Sequence, residues 1–300
     1  MPQIPSAVYI GFQKTGSEFL RSYFAFHPEL AWARHGTYFQ REDFTPDGYR
    51  ALFDGTEAGG VMIDMYEAIA MGYVFAGLES WSPDHAVTLD QPLDGKFMVP
   101  APELVVQRIH QALPNARILI TVRNQIDWVR SNYLHHLGLL PHRRRTLLDF
   151  LSTREGKLVL FAGLYDRTIG LYFEVFGPER VHVLPMELLK LGEDEALAGL
   201  CRFLGVQPRS FQHGERNFNT GIGSRRGNLM RLAGRLGINQ WGTEMLKPLR
   251  KPIEKALAPL LDADVLSTAE KTMLTSFYAA SNHLSSRLLG RDLGVLGYPL

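Results

Sequence analysis

Continuous apolar runs alternate along this chain with stretches whose apolar positions recur every three to four residues. Residues 7–12 (AVYIGF) are a short β-branched and aromatic run, the pattern of a buried strand. In residues 16–26 the side chains Phe19, Leu20, Tyr23 and Phe24 fall on one helical stripe, which ends at His27-Pro28. Residues 60–66 (GVMIDMY) read as a second strand after the turn-rich FDGTEAGG, and residues 73–80 (YVFAGLES) as a short third. APELVVQRIHQALPNA predicts a helix with proline at its start and a stop at Pro114. Residues 117–122 (RILITV) are the clearest buried strand, and QIDWVRSNYLHHLG is a helix closed by Gly138. One long helical pattern covers residues 159–176, and residues 180–185 (RVHVLP) give another strand. EDEALAGLCRFLGV has acids at its start and Gly205 at its end, as helix termini prefer. Strands alternating with helices require crossover connections, so the expected fold is α/β with a mostly parallel sheet flanked by helices. Residues 207–226 are polar and rich in Gly, Asn and Arg, a long loop of the kind that carries function. The remainder is helical. The expected organisation is a core over residues 1–222 and a helical extension over residues 223–300 packed on it.

Composition changes this picture little. Apolar residues make up 45% and charged residues 21%, and the formal net charge is +1, so the global balance names no partner. The single cysteine, Cys201, excludes an internal disulfide, fits a reducing compartment and lies on the apolar face of a helix. Residues 1–12 lack a basic segment before an apolar one, and no run approaches the ~20 apolar residues that span a bilayer. The expected location is therefore the cytoplasm. Charge is concentrated locally: residues 225–255 hold eight basic side chains against Glu244 and Glu254, a local net of +6, with leucines interleaved. Such a stretch either packs its apolar face on the domain or makes peripheral contact with an anionic membrane. No nucleic-acid recognition motif accompanies it, so no nucleic-acid partner is expected.

The chemistry begins in the first loop. Between the first strand and the first helix of an α/β sheet, backbone N–H groups and the helix N-terminus form an anion nest. Lys14 adds a full positive charge there, and Ser17 a hydroxyl. The loop Gly11-Phe12-Gln13-Lys14-Thr15-Gly16-Ser17 departs from the Walker pattern G-x-x-x-x-G-K-[ST], because its lysine precedes the second glycine. The strand RILITV ends in Arg123 and Asn124, where a nucleoside-triphosphate site places an acid to help hold Mg²⁺. A basic residue at that edge suits a metal-free anion site. Ser131 lies eight residues beyond Arg123 in the following helix, so both can reach one phosphate if the helix folds back across the sheet edge.

Taken together, GFQKTGSEFL and ARILITVRNQIDWVRSNYL resemble the two nucleotide-binding elements of the sulfotransferases that use 3′-phosphoadenosine 5′-phosphosulfate (PAPS). The first resembles their 5′-phosphosulfate loop, P-K-[ST]-G-[ST]-[ST]. The second resembles their 3′-phosphate element, R-N-P with a serine eight residues after the arginine. A looser likeness runs through YDRTIGLYFEVFGPERVHVLPMELL and LCRFLGV, and the closest likeness is to bacterial enzymes related to carbohydrate sulfotransferases. The resemblance implies a P-loop-type fold, PAPS as donor, adenosine 3′,5′-bisphosphate (PAP) as product and no metal. By position it implies that Gln13 to Phe19 form the 5′-phosphosulfate loop, with Lys14 on the bridging oxygen and the sulfuryl group. Thr15, Gly16 and Ser17 would cradle the 5′-phosphate, and Arg123 and Ser131 would hold the 3′-phosphate. Arg225, Arg226 and Gly227 would match a late basic-Gly loop over that phosphate. The departures are Glu18, which replaces a hydroxyl residue, Gln125, which replaces the proline, and Met186-Glu187-Leu188, which replaces Tyr-Glu-Asp.

Transfer to an acceptor hydroxyl needs a general base, a Glu or a His in resembling enzymes. Glu79 ranks first, Asp64 second and His85 third. The expected acceptor is a glycan or another small molecule, such as a natural-product precursor; the sequence names neither it nor an oligomeric state. Two other functions remain open on the sequence: a P-loop nucleotide kinase or NTPase, and a catalytically degenerate binding protein, the latter suggested by Glu18.

Overall fold

The computed structural model describes residues 4–56, 59–65, 73–76, 97–139, 146–211 and 264–300. By packing, the chain divides into two compact units, each built from separated stretches: residues 1–123, 165–215 and 284–292 in one, and residues 124–164, 216–283 and 293–300 in the other.

The first unit holds a five-stranded sheet. Its strands are β1 (Ala7–Tyr9), β2 (Leu30–Ala33), β3 (Val61–Met65), β6 (Arg117–Val122) and β7 (Val181–Pro185). The spatial order is β2-β3-β1-β6-β7 and every pairing is parallel. The short strands β4 (Tyr73–Ala76) and β5 (Phe97–Pro100) pair antiparallel in a separate two-stranded sheet, so the expected third strand does not join the main one. Strands buried on both faces read as unbroken apolar runs, which is why RILITV is so clear.

Helices α1 (Ser17–Phe26), α8 (Met186–Leu191) and α9 (Glu193–Leu204) share one apolar cluster with the sheet, uniting Tyr9, Leu119 and Ile63 with Leu20, Tyr23, Phe24, Leu200 and Cys201. Each fully buried Leu or Phe there contributes about 1.5–3 kcal/mol. Helix α9 carries Leu197, Leu200, Cys201 and Leu204 on its buried stripe and ends on Gly205 in the left-handed region, φ 78°. Cys201 is buried within hydrogen-bond distance of the Tyr23 hydroxyl, 3.0 Å away, so its role is packing. Helices α3 (Pro102–Ala112) and α7 (Tyr165–Phe176) pack on each other, and α7 also lies against β6 and β7.

In the second unit, α4 (Gln125–Leu139), α5 (Leu147–Ser152) and α6 (Arg154–Ala162) precede the 22-residue helix α10 (Thr268–Leu289), of which residues 268–283 belong to this unit. The pattern expected as one helix over 159–176 is two, α6 and α7, broken at Gly163. A Cβ at Gly163 would lie 2.7 Å from the Tyr278 ring, so the break accommodates an aromatic side chain. Among the described residues no helix is long and apolar enough to cross a membrane.

Candidate functional site

From β1 the chain passes to β2 and β3 on one side, and later to β6 and β7 on the other. The carboxyl ends of β1 and β6 therefore flank the topological switch point, where α/β sheets bind ligands. Lys14 follows the first of these ends and Arg123 the second. They meet there: the Arg123 guanidinium donates from Nη1 to the backbone carbonyl of Lys14 at 3.2 Å.

The loop itself is held in a demanding conformation. Lys14 has φ 63°, and among the described residues it is the one non-glycine with positive φ. Backbone of this kind costs about 1–3 kcal/mol and persists where its surroundings over-determine it. Gly16 follows with φ 87°, and a Cβ there would lie 2.1 Å from Cε of Met186. Gly16 occupies the N-cap of α1 without a side-chain cap, so the first-turn amides of this helix have no capping side chain.

A buried hydroxyl chain supplies the over-determination. The Thr15 hydroxyl donates to the carbonyl of Phe12 and lies 2.7 Å from Oγ1 of Thr121, which lies 2.7 Å from the Tyr9 hydroxyl. A carbonyl only accepts, so the polarity is fixed: Tyr9 donates to Thr121, Thr121 to Thr15, and Thr15 to Phe12. Gly11 is needed beneath this chain, since a Cβ there would come within 1.9 Å of the Tyr9 oxygen. Tyr165, at the start of α7, joins the two loops. Its hydroxyl donates to the Arg123 carbonyl at 2.8 Å and accepts from the Arg123 N–H at 3.4 Å, while its ring packs 5.1 Å from that of Phe12. Replacing Thr121 with Val, nearly isosteric, removes the central link and should destabilise the fold by about 2 kcal/mol. Thr121→Ser should retain most of that, as read by urea denaturation.

The remaining expected residues divide clearly. Gln13 is exposed. Ser17 is nearly buried at the helix start. The Glu18 carboxylate pairs with Arg21 at 2.9 Å, half-exposed, and Arg21 in turn lies over the Trp32 ring. The Phe19 ring packs against Phe211 and the apolar cluster, so its side chain serves the core. Ser131 is half-buried on α4 in the second unit. Asp64 is fully buried in β3, accepting from the Tyr49 hydroxyl at 2.7 Å and the His35 N–H at 2.8 Å. Burial pushes its carboxyl above the usual range, against the opposing pull of those donors. Both oxygens of this carboxylate are thus engaged within the first unit, by Tyr49 and by the His35 N–H. Glu79, His85, Arg225, Arg226 and Gly227 lie outside the described residues.

Sequence reasoning missed Thr121, Tyr165 and Met186. The one available signal was Thr121, the lone hydroxyl in the run RILITV. Tyr165 carries no local mark, and Met186 stood out only as a departure from Tyr.

The fold resembles that of a sulfotransferase from Alicyclobacillus acidocaldarius at a TM-score of 0.60 and 18% identity, covering 98% of this chain and 99% of that one. Less similar are a sulfotransferase domain of the Synechococcus PCC 7002 olefin synthase (TM-score 0.41, 14% identity, 76% of this chain and 87% of that one) and a mouse sulfotransferase complexed with PAP (TM-score 0.37, 11% identity, 91% and 89%). The model of the sulfotransferase family matches residues 5–210, a span that contains Lys14, Arg123 and the whole parallel sheet. The chain belongs to the sulfotransferase family, whose members draw their sulfuryl group from PAPS.

Proposed function

We propose that this chain transfers the sulfuryl group of PAPS to a hydroxyl of a carbohydrate or natural-product acceptor by in-line displacement. The observation that carries the reading is the hydrogen bond from Arg123 to the Lys14 carbonyl, which joins the end of β6 to the loop after β1 at the switch point. The uncapped amides at the start of α1, the Ser17 hydroxyl and the Lys14 ammonium form a cradle of donors suited to a 5′-phosphosulfate. The Thr15 hydroxyl is spent inside the protein, so Thr15 offers its backbone N–H. Arg123 and Ser131 take the 3′-phosphate, and Arg225, Arg226 and Gly227 extend that grip.

Charge moves onto the leaving phosphate oxygen in such a transfer, so alignment and electrostatics carry most of the catalysis. Lys14 is the group that meets this charge. Glu79 is the general base, with His85 the alternative; Asp64 is assigned to the fold. Sulfuryl transfer needs no metal in this scheme. The pairing of Glu18 with Arg21 offsets its repulsion of an anion, which weakens the case for a degenerate binding protein. The acceptor is a small molecule or a glycan, the enzyme works in the cytoplasm, and the basic stretch 225–255 is the one candidate for peripheral membrane contact.

Calorimetry without Mg²⁺, comparing PAP with adenosine 5′-monophosphate, tests the reading. Two charge-assisted contacts to the 3′-phosphate should favour PAP by roughly two orders of magnitude. Equal affinities would remove the assignment of Arg123 and Ser131. Binding of ATP that depends on Mg²⁺ would favour a nucleotide kinase instead.

A further inference from the structure

The proline of the resembling 3′-phosphate element is Gln125 in this chain, at the first position of α4. Gln125 is completely buried, and so is Asn282 of α10. Their side-chain amides form a reciprocal pair. Gln125 Nε2 donates to Asn282 Oδ1 at 2.6 Å, and Asn282 Nδ2 donates back to Gln125 Oε1 at 3.1 Å. The second hydrogen of each amide is also placed: Gln125 donates to the Gly163 carbonyl at the end of α6 (3.1 Å), and Asn282 to the Pro299 carbonyl (2.7 Å). Asn124, one residue earlier, caps the helix with Oδ1 on the N–H groups of Ile126 and Asp127, while its Nδ2 donates to the Gly297 carbonyl. The first turn of α4 is thus tied to α6, to α10 and to the segment 297–299, all within the second unit.

We propose that Gln125 and Asn282 are positioning residues for recognition of the donor's 3′-phosphate. The pair fixes the rotation of α4 and hence the direction of the Ser131 hydroxyl. Asn124 and Ser131 are seven residues apart, so they share a helix face, and the cap and the hydroxyl turn together. Ser131 lies six residues along from Gln125, about 9 Å at 1.5 Å per residue. A displacement of the order of 1 Å at a gripping group is enough to cost a large factor in binding or rate. A proline at residue 125 would carry no amide, so this tie belongs to the substitution. Its partner Asn282, together with Gly297 and Pro299, which accept from Asn124 and Asn282, lies outside the residues 5–210 that match the family model. Residues beyond the family match thereby govern the orientation of Ser131 within the second unit.

The inference rests on the assignment of Ser131 to the 3′-phosphate, and the test separates the two. Affinities of the full chain for PAP and for adenosine 5′-monophosphate are measured by calorimetry in wild type, Asn282→Ala, the exchanged double variant Gln125→Asn/Asn282→Gln, and a chain lacking Pro299 and Leu300. The PAP preference should fall about tenfold in Asn282→Ala, with the monophosphate affinity unchanged within about twofold. The exchange preserves the combined length of the two side chains and should restore most of the preference. If Asn282→Ala does not fold, as judged by circular dichroism, the deletion decides, since it removes the Pro299 acceptor and leaves the Gln125 and Asn282 side chains in place; it should lose PAP preference by several-fold. An unchanged preference in the folded variants, or an equal loss for both nucleotides, overturns the inference. Absence of any preference in wild type overturns the 3′-phosphate assignment itself.

Discussion

Lys14→Met should lower the rate of PAP release from PAPS by about two to three orders of magnitude, while PAP affinity falls by no more than about tenfold. Methionine nearly matches the lysine stem and removes only the charge. The tethers described above run through other groups: the Arg123 guanidinium reaches the Lys14 carbonyl, and the hydroxyl chain from Tyr9 to Phe12 anchors Thr15. The loop should therefore keep its shape, and the lost charge is felt where negative charge grows on the leaving oxygen. Such an effect appears in turnover more than in product binding. Steady-state turnover beside calorimetry with PAP separates the two. A loss in turnover below tenfold, or one matched by an equal loss of PAP affinity, would remove Lys14 from its role.

Arg123→Ala should cost about two orders of magnitude in PAP affinity and only a few-fold for adenosine 5′-monophosphate. Tyr165 holds the Arg123 backbone at both its N–H and its carbonyl, so alanine leaves that clamp intact. What disappears is the guanidinium, with its bond to the Lys14 carbonyl and its charge for the 3′-phosphate. The first loss accounts for the modest effect on both nucleotides, and the second for the discrimination between them. The salt dependence of PAP binding should weaken as well, because one fixed charge is removed. Calorimetry at two ionic strengths reads both effects; an equal loss for the two nucleotides would show Arg123 to be purely structural.

Much of the parallel sheet could be read along the chain, because its strands are buried on both faces. Residues 117–122 and 180–185 stand out as unbroken apolar runs and become β6 and β7. Strand β2, LAWA, escaped because a four-residue edge strand with half-exposed positions shows neither a long run nor a clean alternation. The break at Gly163 was invisible because the ring that fills it, Tyr278, lies more than a hundred residues away. Lys14 and Arg123 stand out in sequence because loop and strand-end positions carry their chemistry in local spacing, and the two residues meet at the switch point. The hydroxyl chain joins residues 106 and 112 positions apart, and no local pattern reports such a contact. Asp64 stands out as a candidate base because an acid near a strand end reads the same in sequence whether it faces a cavity or, as here, a tyrosine. Gln125 read as a minor departure, since its partner belongs to a helix near residue 282.

The inward-turned hydroxyl of Thr15 has a consequence for how the donor arrives. A loop already locked by Tyr9 and Thr121 has little conformational freedom left to surrender, so the anion meets a mould that is set before it enters. The ordering entropy of this segment was spent when the polypeptide folded, and the contacts made on association can go almost wholly into holding the nucleotide.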